Sequence, residues 1–138
     1  MTQLSKNFSL KEMTATNSGL PNVPNEDQLH YLTLLCEKVL EPLRYIYGRP
    51  IKVNSGFRSE DVNKAIGGAA TSQHCKGQAA DITAGSKEEN EKLFKILATR
   101  DFDQLINEKN YSWIHVSFVP NGNRKQKLKF DGKKYTKI

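Results

Sequence analysis

Apolar residues return every three or four positions from Leu29 to Ile46. Leu29, Leu32, Cys36, Val39, Leu43 and Ile46 mark one buried helical stripe. Asn25 stands where an N-cap belongs, and Glu26 and Asp27 fill the first turn, where the helix dipole favours acids. Pro42 falls inside the stripe and is expected to kink or restart the helix, and Gly48 to end it. Upstream, Ser9 and Glu12 form a capping-box pattern for a short helix, which the turn-rich run NSGLPNVPN breaks. Leu93, Phe94 and Leu97 give an apolar face to a further helix, opened by a second capping box at Ser86 and Glu89.

Strand patterning dominates the rest. Ile51–Val53 reads as a short strand running into a loop. Ser59 caps a short helix through Ile66, and Gly67-Gly68 closes it. Gly77 bends the chain before a strand at Ala79–Thr83. FDQLI and WIHVSFV flank the polar turn NEKNYS, and Asp131-Gly132 sits between alternating residues as a hairpin signal. Helices first and strands later favour an α+β domain, a small antiparallel sheet with helices packed on it. The 138 residues suit one domain that needs no staples.

Charge adds one feature. Residues 121–138 hold seven basic residues against Asp131, so this tail alone accounts for the net charge of +6. A basic hairpin there is either a solvated surface or a device attracted to an anionic polymer, such as a phosphate-rich cell wall. Tyr135 and Phe130 are too few for a nucleic-acid stacking platform, so no specific nucleic-acid binding is expected. The two cysteines, Cys36 and Cys75, make no disulfide framework. No run has signal-peptide or membrane-spanning length. The expectation is a monomer without a transmembrane segment, cytoplasmic as synthesised and acting on the wall after release.

Candidate chemistry concentrates on strands. In SWIHVSF, alternation puts Trp113, His115 and Ser117 on one face and Ile114, Val116 and Phe118 on the core face. In AADIT, Asp81 points away from Ala80 and Ile82, among small residues that leave room for an approaching group. His74 comes from the loop just before. Two histidines and a carboxylate suit zinc, and three protein ligands leave a fourth position for water. Such a site also needs a base and a cation. If the turn is Lys109–Ser112, Glu108 pairs with Trp113 and lies diagonally from His115, about 5–8 Å away. A loop of odd length would turn Glu108 to the other face. Glu108 is thus either a solvated turn carboxylate or the base. Arg58, after a glycine turn, is either a surface arginine near a helix start or the cation.

Three blocks, SGFRS (Ser55–Ser59), SQHCKGQAAD (Ser72–Asp81) and WIH (Trp113–His115), resemble the M15 family of zinc peptidases. That group includes D-Ala-D-Ala carboxypeptidases and phage endolysins, and shares its fold with the Hedgehog signalling domain. The likeness runs from about Phe8 to Phe118. It implies that His74, Asp81 and His115 bind Zn2+, that Arg58 steadies a carbonyl oxygen, and that Ser72 and Trp113 contact substrate. The implied substrate is the peptidoglycan stem peptide, with carboxypeptidase or endolysin-type cleavage. Several members carry an acid three residues before the last histidine; here that position is Ser112, and Glu108 is the nearest upstream acid. A non-catalytic, metal-stabilised wall-binding or virion module is the alternative. A nucleic-acid binder working through the tail is a third.

Overall fold

The structure, a computed structural model, describes residues 2–138. Strands β1 (Gln3–Ser5) and β2 (Phe8–Ser9) form a two-stranded antiparallel ribbon that the sequence pattern did not indicate. Helix α1 (Leu10–Met13) follows with the full Ser9/Glu12 capping box. Helix α2 (Glu26–Leu35) starts at Asn25, whose side chain accepts from the Gln28 N–H while Gln28 reaches back.

The long apolar stripe is interrupted. Cys36–Leu40 form a π-helical turn, and α3 (Glu41–Tyr47) restarts with Pro42 in its first turn. The Glu41 N–H bonds to the Cys36 carbonyl, five residues back. The widened turn holds one residue more than an α turn, which rotates later positions by roughly 100°. Leu35 before the turn and Leu40 and Leu43 after its start are buried, while Ile46 is rotated out to 51% exposure rather than ending the stripe.

The expected small antiparallel sheet is instead a mixed sheet of six strands, ordered β3-β4-β6-β5-β7-β8. Its members are β3 (Lys52–Ser55), β4 (Ala79–Thr83), β5 (Gln104–Glu108), β6 (Trp113–Ser117), β7 (Gln126–Phe130) and β8 (Tyr135–Lys137). All neighbours are antiparallel except β5 and β7. The segment after β6 crosses back, so β7 joins β5 in parallel instead of pairing with β6. Asp103 anchors that crossing: its carboxylate accepts from Arg124 N, Nε and Nη2, and its carbonyl accepts from Gln126 N. Tertiary bonds of this kind leave no trace in hydrophobic periodicity.

Helix α4 (Glu60–Ala65) starts at Ser59 as expected, and α5 (Lys87–Ala98) packs against β5 and β6. Only the Ser86 half of the second capping box forms, because the Glu89 carboxylate turns to Tyr47, Arg49 and Lys92. The Asp131-Gly132 hairpin forms, with the Asp131 carboxylate accepting from the N–H groups of Lys133 and Lys134. The core lies between the helices and one sheet face. Leu32, Leu35, Leu40, Leu43, Leu93, Leu97, Leu105, Ile114 and Val116 fill it, each below 2% exposure. The opposite face of the sheet carries the polar residues treated next.

Candidate metal centre

The strand register brings Asp81 of β4 directly opposite His115 of β6. Opposed residues share a face, and on it His115 Nδ1 lies 2.9 Å from Asp81 Oδ1. His74 arrives from a short 3-10 turn, Gln73–Lys76, with Nε2 3.4 Å from the same oxygen. One ligand atom from each of the three lies within 4.8 Å of the others.

Local contacts orient the His74 ring. Its Nδ1 donates to the Gly56 carbonyl at 2.7 Å. A carbonyl only accepts, so Nδ1 carries the proton and the Nε2 lone pair faces Asp81. Burial pushes the His74 pKa below its ordinary value, keeping the imidazole neutral. Burial alone would raise the Asp81 pKa, but the adjoining His115 and His74 rings hold it well below the usual carboxylate range. Two imidazoles and a carboxylate, with one ring locked by an outer hydrogen bond, form a donor set that fits zinc.

The first motif supports this loop from beneath. The Arg58 N–H bonds to the His74 carbonyl, and the Phe57 N–H to the Met13 carbonyl. A Cβ at Gly56 would collide with the Met13 carbonyl oxygen. Gly77 closes the turn at φ 77°, and a Cβ there would collide with the Gln28 carbonyl. Gln28 also donates to the Cys75 carbonyl at 3.1 Å. Cys75 is a half-buried free thiol outside the cluster, and Cys36 is a free thiol whose pKa burial pushes up to about 12.

Arg58 lines the cleft over the cluster, where Nη2 lies 3.4 Å from Asp81 Oδ2. Its Nε donates to Ser55 Oγ and its Nη1 to Asn63 Oδ1. Three of its five N–H groups are thus used and two remain. Asn63 was not singled out in the sequence. It is buried and also donates to the Ala69 carbonyl, so it holds the guanidinium against α4.

Glu108 pairs with Trp113, and Ile106 with His115, the register that a four-residue turn dictates. Both Glu108 and Trp113 line the cleft, with Glu108 8% exposed. Burial, with the Asp81 charge adding to it, pushes the Glu108 pKa above its ordinary value. Ser112 lies outside the cleft on the turn, where its hydroxyl donates to the Lys109 carbonyl. Ser72 borders the cleft, but its oxygen accepts from the His74 N–H and caps the turn that presents His74. His30 is exposed on α2, apart from the cluster. The cleft itself measures about 1000 Å³.

An open cleft floored by two imidazoles and a carboxylate, with a buried acid and a held guanidinium beside them, brings together the groups a candidate metal centre needs. The chain belongs to the M15 family of peptidases, whose family model, described as Peptidase M15, matches residues 6–117. It is also 49% identical over 49 residues to the zinc D-Ala-D-Ala carboxypeptidase of Streptomyces albus G. That match covers 35% of this chain and 19% of the relative, so the chain spans under a fifth of that relative's length.

Proposed function

We propose that the protein is a zinc-dependent peptidase that hydrolyses peptide bonds of the peptidoglycan stem peptide. The observation that carries this is the convergence of His74, Asp81 and His115 within 4.8 Å on the floor of a cleft that also holds Glu108 and Arg58. The D-alanyl substrate class rests on the Streptomyces relative's name and on the motif resemblance.

His74 Nε2, Asp81 and His115 Nδ1 would hold the metal. Zinc, when bound there, supplies Lewis acidity toward water and a carbonyl oxygen. Glu108 accepts the proton of the attacking water and returns it to the departing amine; a raised pKa suits both transfers near neutral pH. Arg58 offers its two remaining N–H groups to the oxygen that gains charge as the carbonyl carbon becomes tetrahedral. Ser72 keeps its hydroxyl proton free for the substrate, and Trp113 supplies an apolar wall. Cleavage is either of the terminal D-alanine or of an internal bond, as in endolysins. The basic tail adds affinity for anionic wall polymers, and the chain acts as a monomer.

Digestion of purified peptidoglycan with and without chelator, followed by mass analysis of the fragments, tests this reading. Peptide fragments should appear, vanish with chelator and return with added zinc. A protein that binds wall material but releases no fragment under any zinc condition would be the non-catalytic module instead.

A further inference from the structure

Strands β7 and β8 lie beyond the stretch matched by the family, and of their residues only Leu128 is buried. Their register shows where they point. In the β5–β7 pair, Ile106 faces Leu128 and Glu108 faces Phe130; in the β7–β8 pair, Phe130 faces Tyr135. Opposed residues share a face, so Phe130 and Tyr135 extend the surface that carries His115 and Glu108. Lys129, on the reverse side, is exposed. The Phe130 and Tyr135 rings stack with centroids 4.5 Å apart, and both line the cleft with Trp113. Partial burial, reinforced by the Glu108 and Asp81 charges, pushes the Tyr135 phenol above its ordinary pKa. Tyr135 is nevertheless 57% exposed, so beyond its contact with Phe130 much of the ring stays open to a ligand.

The cleft volume gives a second observation. At about 1000 Å³ it stands at the upper end of the range for small-ligand sites and holds several times what two alanines fill. We propose that the β7–β8 hairpin is a substrate platform, on which Phe130 and Tyr135 bind the part of an extended stem peptide remote from the cleaved bond. The hairpin thereby sets a preference for long peptides over dipeptides. This rests on the peptidase reading above. The rings bury the methyl and methylene groups of the peptide, and the preference comes from contacts a dipeptide is too short to make.

The test compares kcat/KM for a pentapeptide stem ending in D-Ala-D-Ala with that for N-acetyl-D-Ala-D-Ala, in the zinc-loaded full chain. Tyr135→Ala should lower the long-to-short ratio about tenfold, as expected for one lost aromatic contact. The loss should fall on KM for the long peptide and leave zinc content and melting temperature as in the parent. Lys129→Ala, on the reverse side of the same hairpin, should leave the ratio unchanged. An unchanged ratio in Tyr135→Ala, or an equal fall in Lys129→Ala, overturns the platform. Trp113 is the single tryptophan of the chain and lies in the cleft, so its fluorescence reports pentapeptide binding without turnover. If the parent cleaves neither substrate, the peptidase reading fails by itself. Pentapeptide affinity about tenfold weaker in Tyr135→Ala would then still support the platform, and equal affinity would overturn it.

Discussion

Gly56 links three parts of the site with no side chain of its own. Its carbonyl fixes the His74 ring, and the Met13 carbonyl occupies the space a Cβ would need. Gly56→Ala should therefore push the carbonyl off His74 and destabilise the fold by about 1–3 kcal/mol. Loss of that outer hydrogen bond should weaken zinc binding by roughly 10–100-fold, measurable by competition with a chromogenic chelator. Glu108 makes a different kind of prediction. Glu108→Gln keeps the shape and the zinc but should cut the rate by roughly 10²–10⁴. As the proposed base Glu108 would work only when deprotonated, and its pKa is raised, so in the parent the rate should start to fall at a higher pH than an ordinary carboxylate would give. An acidic limb at the ordinary carboxylate value, or an unaffected rate in the variant, would assign the base elsewhere. The cluster was legible because a histidine and an aspartate stand on the polar side of apolar strands, with His74 in the loop just before the aspartate's strand. Asn63 and Gln28 were not, since their partners, Arg58 and the Cys75 carbonyl, are tertiary.

The β5–β6 turn decides which way Glu108 faces. Lys109, Asn110 and Tyr111 all have positive φ, at 48°, 55° and 60°. Left-handed backbone at non-glycine residues is unfavourable, so outside bonds must hold the turn. Asn90 of α5 provides them, donating to the Tyr111 and Ser112 carbonyls while accepting from the Ala84 N–H. One glycine inserted into Lys109–Ser112 should shift the register and turn Glu108 off the cleft, lowering the rate as far as Glu108→Gln does. Retained activity would contradict the register. The sequence allowed a four-residue turn without requiring it, since alternation on either side fits an odd-length loop within NEKNYS as well; the register decides it. The π-helical turn was not readable: periodicity carried the stripe on to Ile46, whereas the extra residue before Pro42 rotates Ile46 outward. The parallel placement of β7 was hidden for a like reason, because strand propensity names a strand but not its neighbour.

Asp103 ties the segment before β7 to the turn that presents His74. Its carboxylate holds Arg124 before β7 and also accepts from Gln73, next to metal-cluster His74. The Arg124 hydrogen bonds lower the Asp103 pKa. A carboxylate with a depressed folded pKa adds stability above its unfolded value, and that stability is lost as pH falls through the depressed one. The melting temperature of Arg124→Ala should therefore lie below that of the parent near neutral pH. The gap should close in acid, and salt should shrink it, since the Arg124 side chain is 54% exposed. A gap independent of pH would mean that Arg124 contributes by packing alone. Among the described residues no helix is long and apolar enough to cross a membrane. The strand order, with Asp81 on β4, His115 on β6, Glu108 on β5 and the aromatic pair on β7 and β8, spreads the proposed chemistry across one sheet face.

Equilibrium dialysis against zinc, followed by elemental analysis of the washed protein, bears on all of this together. The parent chain should retain one zinc per molecule, and His115→Ala should retain none while keeping its circular dichroism spectrum. A folded parent that keeps no stoichiometric zinc, or a His115→Ala variant that keeps as much as the parent, would contradict the site.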